Sequence, residues 1–104
     1  MDQIDTSIML ITESGEVAVR QLGRLVITPG AEEVLSHGGN IMEFISRHVQ
    51  GDCPHLDPED QEMNALGVAN NGYLMTSWDL EKGTIWIITE HDRSVTTILT
   101  PEEY

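Results

Sequence analysis

Apolar residues recur along this chain with two different periods, and the change of period marks out its elements. Positions 73–78, 84–90 and 95–99 are β-branched and aromatic runs, joined by Glu81-Lys82-Gly83 and His91-Asp92-Arg93-Ser94. They predict a C-terminal three-stranded antiparallel meander. In its middle strand Trp86 and Ile88 share one face while Ile85 and Ile87 share the other. A strand apolar on both faces is expected to be covered on both sides. Near the start, 8–12 and 16–19 flank Glu13-Ser14-Gly15 and predict a hairpin; 22–27 is a further β-rich run, with Gly23 marking a bulge or bend.

Between these blocks the period becomes helical. Thr28-Pro29-Gly30-Ala31 predicts a helix with Thr28 as N-cap and Pro29 in its first turn, ending before Gly38-Gly39. Asn40-Ile41-Met42-Glu43 has the form of a capping box and opens a second helix, whose stripe is Ile41, Phe44, Ile45 and His48. Asp57-Pro58-Glu59-Asp60 repeats the cap-and-proline signal for a third helix reaching about Asn70, with a thin stripe of Met63, Leu66 and Val68 or Ala69. The fold class expected is α+β: three short helices packed on an antiparallel sheet of four to six strands. One domain spans 1–104, with 1–7 disordered and 8–21 a hairpin added to the body formed by 22–104.

Composition narrows the function. The chain has 5 Lys+Arg against 18 Asp+Glu, a formal net charge of -13 over 104 residues. That leaves no basic patch for nucleic acid or anionic lipid, so neither direct nucleic-acid binding nor membrane binding is expected. A folded chain of this size exposes roughly 5,800 Å², which is about one net charge per 450 Å². Duplex DNA carries on the order of one per 100 Å². Imitating DNA therefore requires the acids to gather on one face. No Lys or Arg lies between Arg47 and Lys82, whereas Asp52, Asp57, Glu59, Asp60, Glu62, Asp79 and Glu81 all do. Some of these acids also suit a helix first turn, where the dipole stabilises them. The lone Cys53 rules out an intrachain disulfide, and no basic leader precedes the short apolar run at 8–11, so a cytoplasmic protein is expected.

The segment 86–99, followed by Pro101-Glu102-Glu103-Tyr104, resembles the C-terminal part of a family of short proteins from plasmids, phages and other mobile elements, often labelled "plasmid-related protein". Thr28-Pro29-Gly30-Ala31, Arg47-His48 and Gly51-Asp52 match the same pattern in order and spacing, as do Asp60 and Asn64. The resemblance covers roughly 22–104. Cys53-Pro54 stands where the family tends to have Trp-Gly, and Thr100 where it has an apolar residue. It implies a mobile-element context and a role against host defence, with no established activity attached.

Three constellations could carry chemistry. His48, Cys53 and His55 are zinc-type ligands within eight residues, but no second ligand pair follows at regular spacing, so no metal or other cofactor is expected. Cys53 as a nucleophile lacks a recognisable orienting group or oxyanion donor. Arg47, His48, Asp52, Asp92 and Arg93 would form an anionic-ligand pocket or small active site if the fold made them converge. Otherwise Asp92 and Ser94 simply close a hairpin, with Arg93 paired to a nearby acid. No phosphate loop, nucleophile elbow or zinc-protease motif occurs.

The leading expectation is a small acidic interaction protein, an anti-restriction or anti-CRISPR type inhibitor occupying a basic nucleic-acid-binding surface of a host complex. Asp57, Glu59, Asp60, Glu62, Asp79 and Glu81 would make the contacts. The alternative is an enzyme or ligand-binding domain built on the five-residue pocket. A third reading is a homodimer formed through an open sheet edge.

Overall fold

Three side-chain caps fix where the helices begin. The computed structural model describes the backbone of residues 2–11 and 17–104 and the side chains of residues 22–104. In it Thr28 accepts from the Ala31 amide, Asn40 from those of Met42 and Glu43, and Asp57 from that of Asp60. Each bond satisfies an amide that the first helical turn would leave unpaired. The helices are α1 (Pro29–Ser36), α2 (Ile41–Val49) and α3 (Pro58–Asn70). The strands are β1 (Asp2–Ile11), β2 (Val17–Ile27), β3 (Leu74–Leu80), β4 (Gly83–Thr89) and β5 (Val95–Leu99), and a 3-10 turn spans Pro101–Glu103. None of the described helices is long and apolar enough to cross a membrane.

The fold is α+β, but the sheet is mixed rather than purely antiparallel. Its order is β1-β2-β5-β4-β3. β1 pairs antiparallel with β2, β4 pairs antiparallel with both β3 and β5, and β2 runs parallel to β5 through Leu25↔Thr96 and Val26↔Thr97. Parallel neighbours need a long crossover, and here it comprises all three helices and two strands. Local turn signals carry no trace of such a pairing, which is why the sequence suggests only hairpins. Residues 2–7, expected to be an unstructured lead-in, are placed in β1; the expected turn at Glu13-Ser14-Gly15 lies outside the described residues.

The segments 17–19 and 22–27 belong to one strand. The register of β1 against β2 slips between Thr6 and Ser7, leaving a bulge in β2 beside Gly23. Gly23 holds φ +67, and a Cβ there would strike the carbonyls of Arg93 and Ser94. The bulge lets both Leu22 and Leu25 enter the core.

One face of the sheet, carrying Leu74, Trp78, Ile85, Ile87 and Ile98, is buried beneath α1 and α2. Phe44 of α2 stacks on Trp78 at 5.2 Å between ring centroids. On the opposite face the 3-10 turn packs against β4. Ile88 and Leu99 are well covered there, while Trp86 is half-buried with the ring of Tyr104 edge-on at 5.6 Å.

α3 reverses the orientation that its apolar stripe predicts. Asn64 and Gly67 face inward, and Met63 and Leu66 are 50% and 53% exposed. The reason is that α3 docks on the edge of β3. The Asn64 amide donates to the Met75 carbonyl at 2.8 Å and accepts from the Met75 N–H at 2.9 Å, pairing with the edge as a neighbouring strand would. Close approach then requires glycine at 67, where a Cβ would overlap the Tyr73 carbonyl oxygen. Once α3 covers the edge its backbone groups must be paired, because an unpaired buried backbone group costs about 1–3 kcal/mol, and Asn64 supplies that pairing.

Gly67→Ala is expected to lower stability by about 2–4 kcal/mol, despite alanine's higher helix propensity, because the helix must lift off the edge. Denaturant unfolding measures this; a neutral or stabilising effect would contradict the docking described.

Candidate functional site

The helical spacing that directs Ile41 and Ile45 inward brings His48 over the inner face of the sheet, where it is fully buried. Its Nδ1 lies 2.8 Å from the Thr76 hydroxyl and its Nε2 2.8 Å from that of Thr89. Thr89 lies 2.7 Å from Thr96, whose hydroxyl donates to the Leu22 carbonyl at 2.8 Å. The Trp78 indole N–H donates to Thr76 at 2.9 Å.

From Leu22 to Nε2 these contacts fix the protons. A carbonyl can only accept, so the Thr96 hydrogen points to Leu22; Thr89 must then donate to Thr96, and His48 Nε2–H to Thr89. At the other end Thr76 accepts from the indole, which leaves its own hydrogen for Nδ1 of a neutral ring. The imidazole is protonated at Nε2. Burial, with the positive Arg93 adding to it, lowers the His48 pKa from 6.5 to about 3. This relay ties α2 to β2, β3, β4 and β5.

The other members of the expected anionic pocket are also taken up internally. Arg47 donates through Nε to Asp52 at 3.0 Å and lies over the Trp78 ring at 5.0 Å. Arg93 is buried, in the left-handed region at φ 61, and donates from Nε to the Gly72 carbonyl at 2.8 Å and from Nη2 to the Gly67 carbonyl at 3.0 Å. It thus sits at the negative end of α3's dipole, held by carbonyls at and just beyond the helix's last turn. Asp92 accepts from the Ser94 amide at 3.0 Å, and its hydrogen bonds to Ser94 hold its carboxyl below the usual range. The two arginines thus engage separate parts of the fold, and His48 has no open face for a substrate.

Cys53 and His55 do meet, with Sγ 3.5 Å from Nε2, but both are turned to the Ser77 carbonyl. Burial pushes the Cys53 thiol up, so it remains a thiol. No group of three His, Cys, Asp or Glu side chains suited to a metal comes together among the described residues. Together with Asn64 at Met75, these donors cover the outer edge of β3, which is therefore not an open pairing edge at those positions.

The terminal motif meets the first helix. Glu103 takes hydrogen bonds from the Thr28 hydroxyl, from the Gly30 amide at 3.0 Å and from the Thr100 amide at 2.9 Å. Those bonds, led by Thr28, lower its pKa to about 2. So 28–31 and 101–104, distant in sequence, form one structural clasp.

The six acids singled out above lie in two places, four at the start of α3 and two around the β3–β4 turn. Asp57, Glu59, Asp60, Glu62, Asp79 and Glu81 are all exposed. Asp57 also caps α3, and Asp79 accepts from Thr84 at 2.7 Å. Among the described residues the ion pairs are Arg47–Asp52 and His37–Glu33, so none of these six carboxylates has a cationic partner there. Beside them, Met63 and Tyr73 border two clefts of about 200 Å³ each. One is completed by Asp60, Asn64 and Met75, the other by Leu66, Asn70 and His91 with the backbone around Gly67 and Gly72. The stripe rule assigns Met63 and Leu66 to the core and so misses these clefts. Asn64 and Gly67, one helical turn apart on the other side of α3, are the sequence signal of a helix docked on a strand edge.

In comparisons with known proteins, the chain matches no family model, no curated protein and no solved structure.

The His48 relay has a pH signature. A histidine whose folded pKa lies below its unfolded value of 6.5 adds full stability above pH 6.5 and loses it as pH falls toward 3. Relative to His48→Gln, the wild type should lose up to about 1.4 kcal/mol per pH unit across that window. Parallel stability curves for the two proteins would refute a buried neutral imidazole.

Proposed function

We propose that this chain is a small acidic interaction protein that binds a positively charged surface of another protein, and that the surface is a nucleic-acid-binding one. The observation that carries this reading is the division of charge. Arg47 and Arg93 are turned toward internal partners, whereas Glu59, Asp60, Glu62 and Glu81 point to solvent with no cation paired to them among the described residues. Fixed carboxylates on a helix and a tight turn lose little freedom on binding, and their field speeds encounter with a basic partner. The resemblance to proteins of mobile elements suggests that the partner is a host defence complex of the restriction or CRISPR type, held off its nucleic acid.

The pocket reading is less well supported. An enzyme on Arg47, His48, Asp52, Asp92 and Arg93 would have to open the buried relay and detach Arg93 from α3 before substrate could reach either group.

The proposal is tested by displacement of a fluorescent DNA duplex from purified restriction and CRISPR effector complexes. Displacement should weaken on going from about 50 to about 300 mM salt, as charge-steered binding does. It should fall about tenfold or more in Glu59→Lys/Glu62→Lys, each reversal removing an attraction and adding a repulsion. Displacement insensitive to both salt and charge reversal, or absent throughout, would defeat it.

A further inference from the structure

We propose that the cleft between α3 and the start of β3 receives a single arginine side chain of a basic partner, with Asp60 taking the guanidinium and Met63, Tyr73 and Met75 taking the stem. This rests on the reading of the chain as an acidic interaction protein, and adds the chemistry of its anchor point.

Size is the first argument. At about 200 Å³ the cleft lies below the roughly 300–1,000 Å³ of sites for drug-sized molecules, and suits one long side chain. The lining is the second. Met63 is 50% exposed on the outside of α3, and Tyr73 and Met75 are half-buried at the start of β3, so deformable apolar side chains and an aromatic ring line one cleft. The Tyr73 ring has that of His91 5.0 Å away between centroids. Asn64 lies in the same cleft, but both ends of its amide are occupied by Met75, so it adds no further demand for a polar ligand.

The third argument is charge. The Asp60 carboxylate stands at this cleft with no ion-pair partner among the described residues. The Tyr73 phenol is pushed up by burial first and then by Tyr104, Glu90 and Asp60, so the field around the ring is negative. An anion would be repelled there, and a purely apolar group would desolvate Asp60 without replacing its hydrogen bonds. A long cationic side chain fits both demands, laying its stem on apolar surface while its head stays with the carboxylate. Arginine fits better than lysine, since its flat guanidinium can stack on an aromatic ring and bind a carboxylate through two N–H groups.

The test uses the full chain with ¹⁵N labelling and two synthetic peptides, nona-arginine and nona-lysine, which carry the same charge. Nona-arginine should bind more tightly and shift the amide signals of Asp60, Met63, Tyr73 and Met75. Asp60→Asn and Tyr73→Leu should each weaken it about fivefold, while Glu33→Gln on α1 leaves it unchanged. Tyr73→Phe, which keeps the ring, should bind as the wild type does and guards against a folding defect in Tyr73→Leu. Equal binding of the two peptides, or equal effects of Asp60→Asn and Glu33→Gln, would overturn the arginine site while leaving the acidic interaction reading intact. No binding of either peptide at low salt would overturn both.

Discussion

A neutral imidazole locked between two threonine hydroxyls is the contact on which this fold most depends. His48 is the point where α2 meets the sheet, and the hydrogen bonds running from it through Thr76, Thr89 and Thr96 reach Trp78 on one side and the Leu22 carbonyl on the other. A hydrophobic contact tolerates sliding, whereas this chain of donors and acceptors holds only at hydrogen-bonding distance and direction. It therefore sets the position of the helix along the strands. It also bears on the parallel pairing of β2 with β5, because Thr96 of β5 reaches the β2 backbone at the bulge that Gly23 makes. Among buried side chains of the described residues, no polar atom lacks a partner.

The same need to satisfy backbone groups shapes the outside of the molecule. β3 ends the sheet, and an edge strand left open invites pairing with other chains. Here its outward groups at Met75 and Ser77 are met by Asn64, Cys53 and His55. Docking α3 on that edge through an amide and a glycine turns Met63 and Leu66 away from the core. The clefts beside Tyr73 are thus a by-product of how the edge is covered, and they fall next to the carboxylates that open α3. Structural economy and a candidate binding surface have one cause.

Electrostatics follow from the placement of a few cations. Arg93 is held against the carbonyl end of α3 and Arg47 between Asp52 and Trp78, so neither stands among the acids of α3's first turns. Those acids are stabilised locally by the helix dipole and by the Asp57 cap, which explains how they can sit close together without unfolding the helix. Glu103 is a further case: its charge is spent on Thr28, Gly30 and Thr100 inside the clasp that joins the two ends of the body.

The amino-acid sequence by itself determined the helices, because Thr28, Asn40 and Asp57 cap them through bonds spanning two or three residues and Pro29 and Pro58 suit their first turns. It also determined the position of β5, the alternation of Ile85 and Ile87 with Trp86 and Ile88, and the excess of carboxylates. Tertiary structure alone decided the parallel pairing of β2 with β5, the burial of His48 among three threonines, the inward face of α3 and the separate partners of Arg47 and Arg93. Each of these joins residues from different elements, so no local period or spacing encodes it. They are settled only when backbone and side-chain donors compete for the same buried acceptors.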